Sequence, residues 1–164
     1  MNSPTTTPEH AVRSVREILD MIFSSMQKVT PSREVSLAIT NLQESKMWLG
    51  KLLQEIIPGK NPYPESKNPG NEKIEPTAEK SPRTLEEQWK NSDFSHIQKV
   101  KDLRQRIDNQ LAPIWDFKAI PVTHQGALFT DAAWMSAQMS MMWLGMELGR
   151  IHDVESKPQE PKPV

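Results

Sequence analysis

Shifted by 95 positions, the stretch Arg33–Gly50 matches Leu128–Gly145 at seven of eighteen residues. The matches are Ala38/Ala133, Gln43/Gln138, Ser45/Ser140 and the tetrad Met-Trp-Leu-Gly at 47–50 and 142–145. With only 5 Trp and 9 Met in 164 residues, coincidence is a poor account of a shared Met-Trp-Leu-Gly. A second shift, of 85, superposes Val12 on Ile97, Val15 on Val100, Ile18 on Leu103, Ile22 on Ile107 and Met26 on Leu111. The chain therefore reads as two copies of one helical unit, the second with ten residues inserted in its turn.

The periodicity gives the type of unit. Val12, Val15, Ile18, Ile22, Met26 and Val29 step by threes and fours, which is one face of an α-helix. Thr7 is its expected N-cap, Pro8 its N1 residue, and Glu9 complements the positive end of the helix dipole. "TPS" at 30–32 breaks this helix and caps a second, expected over about 33–57. Its seam is Val35, Ala38, Leu42, Ser45, Leu49, Leu52 and Ile56, a heptad pattern interrupted only by the small Ser45. So short a turn predicts antiparallel neighbours. A third helix is expected from near Asp93, striped by Ile97, Val100, Leu103, Ile107, Leu111 and Ile114. After a turn holding Pro113, Pro121 and Gly126, a fourth is expected over about 130–151.

The expected fold class is all-α: two antiparallel helical hairpins, four long helices in all, in an oligomeric assembly. The hairpins occupy 1–57 and 93–151. Between them, 58–92 holds six of the fourteen prolines over Pro58–Pro82 and is expected to be extended, with a short helix from Pro82 capped by Ser81 and ending near Trp89. The polar, Pro-rich tail 152–164 is expected to be disordered.

Composition removes several functions. Net charge is −1, so no global field favours a nucleic-acid polymer or an anionic membrane, and any bound anion needs a local constellation. Absence of cysteine excludes thiolate metal sites, a cysteine nucleophile and disulfides, and is compatible with a cytoplasmic protein. "MNSPTTTPEH" lacks the charge and apolar pattern of a signal peptide, and no apolar run approaches the roughly 20 residues of a membrane span. His10, His96, His124 and His152 are isolated, so no metal site is expected. No Ser-His-Asp grouping or Gly-rich phosphate loop is present, and the nearest Glu-x-x-Glu pair, Glu72 and Glu75, falls in the Pro-rich stretch. The reading is a non-enzyme with no catalytic residue and no cofactor.

Arg33 stands in the first turn of the second helix, where the dipole disfavours a cation. It is either a solvated Arg paired with an acid such as Glu34, or a phosphate clamp that joins free N–H groups, the helix dipole and a guanidinium. Thr40, two turns on, shares nearly the same face and can donate a hydroxyl hydrogen bond. Trp48 and Trp143 precede seam leucines and are either core or interface anchors, or platforms on which bases stack. Met135, Met139, Met141, Met142 and Met146 make the last helix an adaptable apolar packing surface. Tyr63, held between Pro62 and Pro64, is a candidate ligand or subunit contact.

"SREVSLAITNLQESKMWLGKLLQEI", 32–56, resembles the helical-hairpin domain of phage proteins that inhibit CBASS and Thoeris immunity by sequestering nucleotide messengers. "NPYPESKNP" and "KIEPTAE" are similar to the tail that follows that hairpin. The resemblance implies a hairpin that assembles into homo-oligomers, and tight binding, without cleavage, of cyclic oligonucleotides or cyclic ADP-ribose isomers in the host bacterial cytoplasm. Arg33 and Thr40 match positions that resemble phosphate and base contacts, and Arg13 and Arg16 are candidate basic residues facing a dinucleotide. Tyr63 and Trp48 are the options for a stacking residue. In the second copy Arg33 becomes Leu128 and Thr40 becomes Met135, so the first hairpin is expected to carry any such site. The competing reading is a structural helical adaptor that only oligomerises.

Overall fold

The structure, a computed structural model, describes residues 6–57, 85–120 and 122–156. Its elements are α1 (Pro8–Met26), α2 (Arg33–Ile56), α3 (Leu85–Asn91), α4 (His96–Asp116), a 3-10 turn (Phe117–Ala119) and α5 (His124–Ser156). The described residues are all-helical, with no strand among them. Among the described residues no helix is long and apolar enough to cross a membrane.

The expected caps form. Thr7 Oγ1 accepts from His10 N–H, Pro8 opens α1, and Ser32 Oγ accepts from Val35 N–H at the start of α2. At α4, Ser95 and Gln98 make a capping box, each side chain accepting from the other's backbone N–H. Between α3 and α4, Asp93 takes a left-handed φ of 52°. Its N–H donates to Lys90 O while that of Phe94 donates to Trp89 O, so the last carbonyls of α3 are satisfied by a Schellman turn. Trp89 Nε1 and Arg106 Nε both donate to the Asp102 carboxylate, which fastens α3 to α4.

The four long helices touch in the cyclic order α1, α2, α5, α4, and the α2–α5 pair makes the most extensive contact. Val12, Val15, Ile22 and Met26 on α1, Val35, Leu42, Leu49 and Leu52 on α2, and Val100, Leu103 and Ile107 on α4 are buried, as the stripes predict. On α1, Leu19 is buried in the place expected of Ile18, which is only half-buried.

Ser45 does not weaken the seam. Its hydroxyl donates to Ala133 O at 2.8 Å, and the repeat-related Ser140 donates to Ala38 O at 2.7 Å. The pair of bonds is reciprocal under the shift of 95, so α2 and α5 cross antiparallel about a pseudo-two-fold axis level with 41–42 and 136–137. Small residues at this crossing (Ala38, Ala133, Ala137) let the backbones come close enough for a serine to reach the other helix. Each buried hydroxyl is thereby satisfied, which avoids a penalty of about 1–3 kcal/mol. Residues 33–50 and 128–145 share the same degree of burial at every position except 36/131, 41/136 and 50/145.

Three expectations are corrected. Pro113 lies inside α4, and Gly126 lies in the first turn of α5, so neither belongs to the connecting turn. α5 starts at His124, not near Thr130, and continues to Ser156, so 152–156 are helical and not part of a disordered tail. The ten inserted residues mostly lengthen helices. α4 runs five residues past Leu111, the match of Met26, α5 starts four before Leu128, and the turn grows only from 27–32 to 117–123. A proline near a helix end forfeits few bonds, and Thr123 supplies the cap that Gly126 needs, its Oγ1 accepting from Gly126 N–H and donating to Glu55. All of 58–84 and the end of the tail, 157–164, lie outside the described residues.

Gly126 is required there by space. A Cβ at this position would meet Val122 Cγ2 at 2.7 Å and Val122 Cβ at 2.9 Å, whereas one at Gly149 would meet nothing within 4 Å. Gly126→Ala is therefore expected to destabilise by about 1–3 kcal/mol. Gly149→Ala, in an open helix interior, should stabilise by about 0.5–1 kcal/mol. Urea unfolding of both variants checks the opposite signs.

Candidate functional site

Along the outer face of α2 run Arg33, Thr40, Glu44, Met47 and Lys51, all exposed and spaced by sevens, fours and threes. Their repeat partners on α5 are Leu128, Met135, Met139, Met142 and Met146, also exposed. The two copies thus keep the same buried faces and differ on the face turned to water. Apart from Met47, which matches Met142, the first is polar and the second apolar.

Arg33 has no carboxylate partner among the described residues. Glu34, its expected partner, instead lies 3.7 Å from Arg150. The α2 N-terminus beside Arg33 already faces an internal anion. Ser32 Oγ, the N-cap, donates to Glu147 Oε2 at 2.9 Å. Glu147 is fully buried and also bonds His96 Nε2 at 3.1 Å and Arg150 through Nε (2.9 Å) and Nη2 (2.7 Å). The Arg150 hydrogen bonds chiefly, then those of His96 and Ser32, hold its carboxyl down at about 2 against the upward push of burial. This network joins the start of α2, the start of α4 and the end of α5. Its signal in the sequence is a charge at the repeat position of the core residue Leu52.

Thr40 Oγ1 donates to Ser36 O at 3.1 Å, so its lone pairs face water and its proton is engaged. Trp48 is half-buried and stacks on Phe129 of α5, with centroids 5.6 Å apart and planes inclined by 26°. Lys51 Nζ lies over both rings, at 5.4 and 5.9 Å. The platform is built from both copies, which no single-helix spacing reveals. Trp48, Lys51, Thr40 and Arg33 lie on adjoining faces of α2, along a strip of about 27 Å at 1.5 Å per residue.

Arg13 and Arg16 belong elsewhere. Arg13 pairs with Glu9 at 3.1 Å, and Arg16 Nε donates to Lys46 O at 3.3 Å. Lys46, which also pairs with Asp20, is roughly 140° around α2 from Arg33 at 100° per residue. The structure therefore does not gather the two α1 arginines with Arg33 and Thr40. Tyr63 lies outside the described residues.

The strip is open. Clefts of about 240 and 450 Å³ lie away from it, the first beside Trp89 and Phe94, the second between Arg104 and Met141. Among the described residues no cluster of His, Asp or Glu could hold a metal ion. No family model, curated protein or solved structure matches the chain.

Proposed function

We infer that the protein is a phage immune-evasion sponge that binds a cyclic oligonucleotide or cyclic ADP-ribose-type messenger in the host bacterial cytoplasm without cleaving it. The observation that carries this reading is the divergence of the two outer faces. Where the buried positions are kept, the first copy sets Lys51 over the Trp48–Phe129 platform, with Thr40 about 12 Å and Arg33 about 22 Å farther along the same strip at 1.5 Å per residue. A guanidinium and an ammonium suit phosphates, and stacked rings with a cation above them suit a base. The resemblance of 32–56 points to Arg33 and Thr40, with Trp48 one of two options for a stacking residue. In this reading the chain is two fused antiparallel hairpins, and the second takes the place of a partner subunit. The reciprocal Ser45 and Ser140 bonds, which a symmetric pair of hairpins would also make, support that fusion. Because the strip is open, burying a ligand needs a cover from outside the described residues.

The test is a thermal-shift panel of cyclic dinucleotides, cyclic trinucleotides and cyclic ADP-ribose isomers. A ligand at 100 times its Kd adds about 2.7 kcal/mol of stability. Arg33→Ala should abolish the ligand shift while changing the unliganded stability by less than about 0.5 kcal/mol. Unchanged affinity in that variant removes Arg33 from the site, and recovery of a cleaved messenger after heat denaturation sinks the sponge. The second reading, a helical adaptor without a small-molecule ligand, is favoured by the apolar outer face of α5. It survives if no member of the panel shifts the melting temperature.

A further inference from the structure

Leu128, Met135, Met139, Met142 and Met146 are 41–61% exposed and form one stripe along α5. We propose that this stripe is a homodimer interface in which α5 packs antiparallel against α5 of a second copy, independently of what α2 binds.

The charge pattern selects the occupant. From 132 to 149 the only charged residue is Glu147, and it is buried, so the exposed side of α5 is neutral over five turns. Asp131 and Arg150 bracket this stretch and are themselves paired, with Lys118 and with Glu147. A charged peptide would lose its hydration there without meeting a counter-charge. An anionic membrane surface is bound through Lys and Arg flanking an apolar face, and the stripe has none between its ends. A neutral apolar helix fits, and a second α5 is one.

The stripe also reads the same in both directions. Reversed about Ala137, Leu128 falls on Met146 and Met135 on Met139, while Met142 falls on Ala132. An antiparallel pair centred at that level sets apolar against apolar along its length. The inner face of α5 already packs this way: its contact with α2 is antiparallel and centred between Ser136 and Ala137. The proposed axis lies at the same level, so a dimer would continue the internal antiparallel packing outward as α2, α5, α5, α2. Unbranched methionines adapt to such a face without a fixed jigsaw fit. One helix pair buries less than the roughly 1,600 Å² of a standard interface, so the dimer should dissociate on dilution.

Light scattering or sedimentation over a hundredfold concentration range is expected to show a mass rising from 18.7 kDa toward twice that value. Met135→Lys and Met139→Lys, at exposed positions, should each hold the mass at one chain throughout with an unchanged melting temperature at low concentration. The chain has no cysteine, so pairing can be read by introduced thiols. A mixture of Leu128→Cys and Met146→Cys should give an oxidised dimer across the two sites. Leu128→Cys alone should not, since its two copies would stand about 27 Å apart along the axis. A wild-type mass of one chain at every concentration overturns the proposal, as does an assembly that survives both lysine substitutions. Efficient cross-linking of Leu128→Cys to itself refutes the antiparallel register. A one-chain mass together with co-sedimentation on anionic vesicles would assign the stripe to a membrane instead.

Discussion

Leu49→Ala and Leu144→Ala are each expected to lower the free energy of unfolding by about 2–5 kcal/mol. The two leucines are the third residues of the repeated tetrad, and both are fully buried in one continuous core. Truncation removes apolar atoms from water-free packing and leaves a cavity that neighbouring helices fill only in part. For a domain of this size each kcal/mol is worth about 2–4 °C in Tm. Because α2 and α5 share their largest contact with one another, both substitutions should act on a single cooperative transition. The residue opposite Leu49 across the antiparallel pair is near Phe129, fifteen residues from Leu144, or about 22 Å. At that separation the double variant should equal the sum of the singles within about 0.5 kcal/mol. Urea unfolding followed by circular dichroism checks this. Two separable transitions, one moved by each substitution, would show that the halves fold as independent units.

The buried positions were legible because their signal is local and periodic. Val12 to Met26, Val35 to Leu52 and Val100 to Ile114 each repeat at the helical period, and the helices occur where those stripes run. Thr7 and Ser32 were readable as caps for the same reason. Pro113 and Gly126 carry the local signal of a turn, but tertiary packing decides whether a helix runs on, and both lie within helices. A Val122 side chain against Gly126 explains that glycine without a turn. Ser45, Trp48 and Glu147 find their partners 88, 81 and 115 residues away, at Ala133, Phe129 and Ser32, and no periodic pattern specifies such pairs. The methionines of α5 were legible as an apolar surface, yet four of the five named lie on the open side, with Met141 half-buried. Comparing the two copies position by position carries the most information about the candidate site, since the buried positions coincide and the outer face does not. Arg33, Thr40 and Lys51 against Leu128, Met135 and Met146 is a difference that packing alone does not demand.

Glu147 should make the fold acid-sensitive. Its folded pKa of about 2 lies below the ordinary value of 4.5, so protons bind the unfolded chain more readily. The corresponding stability is fully present above pH 4.5 and is lost as pH falls from 4.5 toward 2. The shift corresponds to about 3 kcal/mol at 1.36 kcal/mol per pKa unit. Water around the half-exposed Arg150 reduces this to about 2 kcal/mol. Glu147→Gln keeps the shape and removes the charge that Arg150, His96 and Ser32 surround. It should cost about 2–3 kcal/mol at pH 7. Glu147→Leu installs the residue found at the matching position 52 and removes a desolvated carboxylate altogether. It strands little, because Ser32 still caps Val35 and the side chains of His96 and Arg150 reach water. An apolar replacement of comparable volume can therefore be nearly neutral at pH 7. Both variants should lose the extra decline in stability between pH 4.5 and 3. Glu86, also held low, titrates in all three proteins, so the difference between wild type and variants isolates Glu147. Urea midpoints at pH 7, 4.5 and 3 decide the matter. Parallel declines in wild type and Glu147→Gln would mean that the buried carboxylate carries no proton linkage, and that the network joining α2, α4 and α5 holds without its charge.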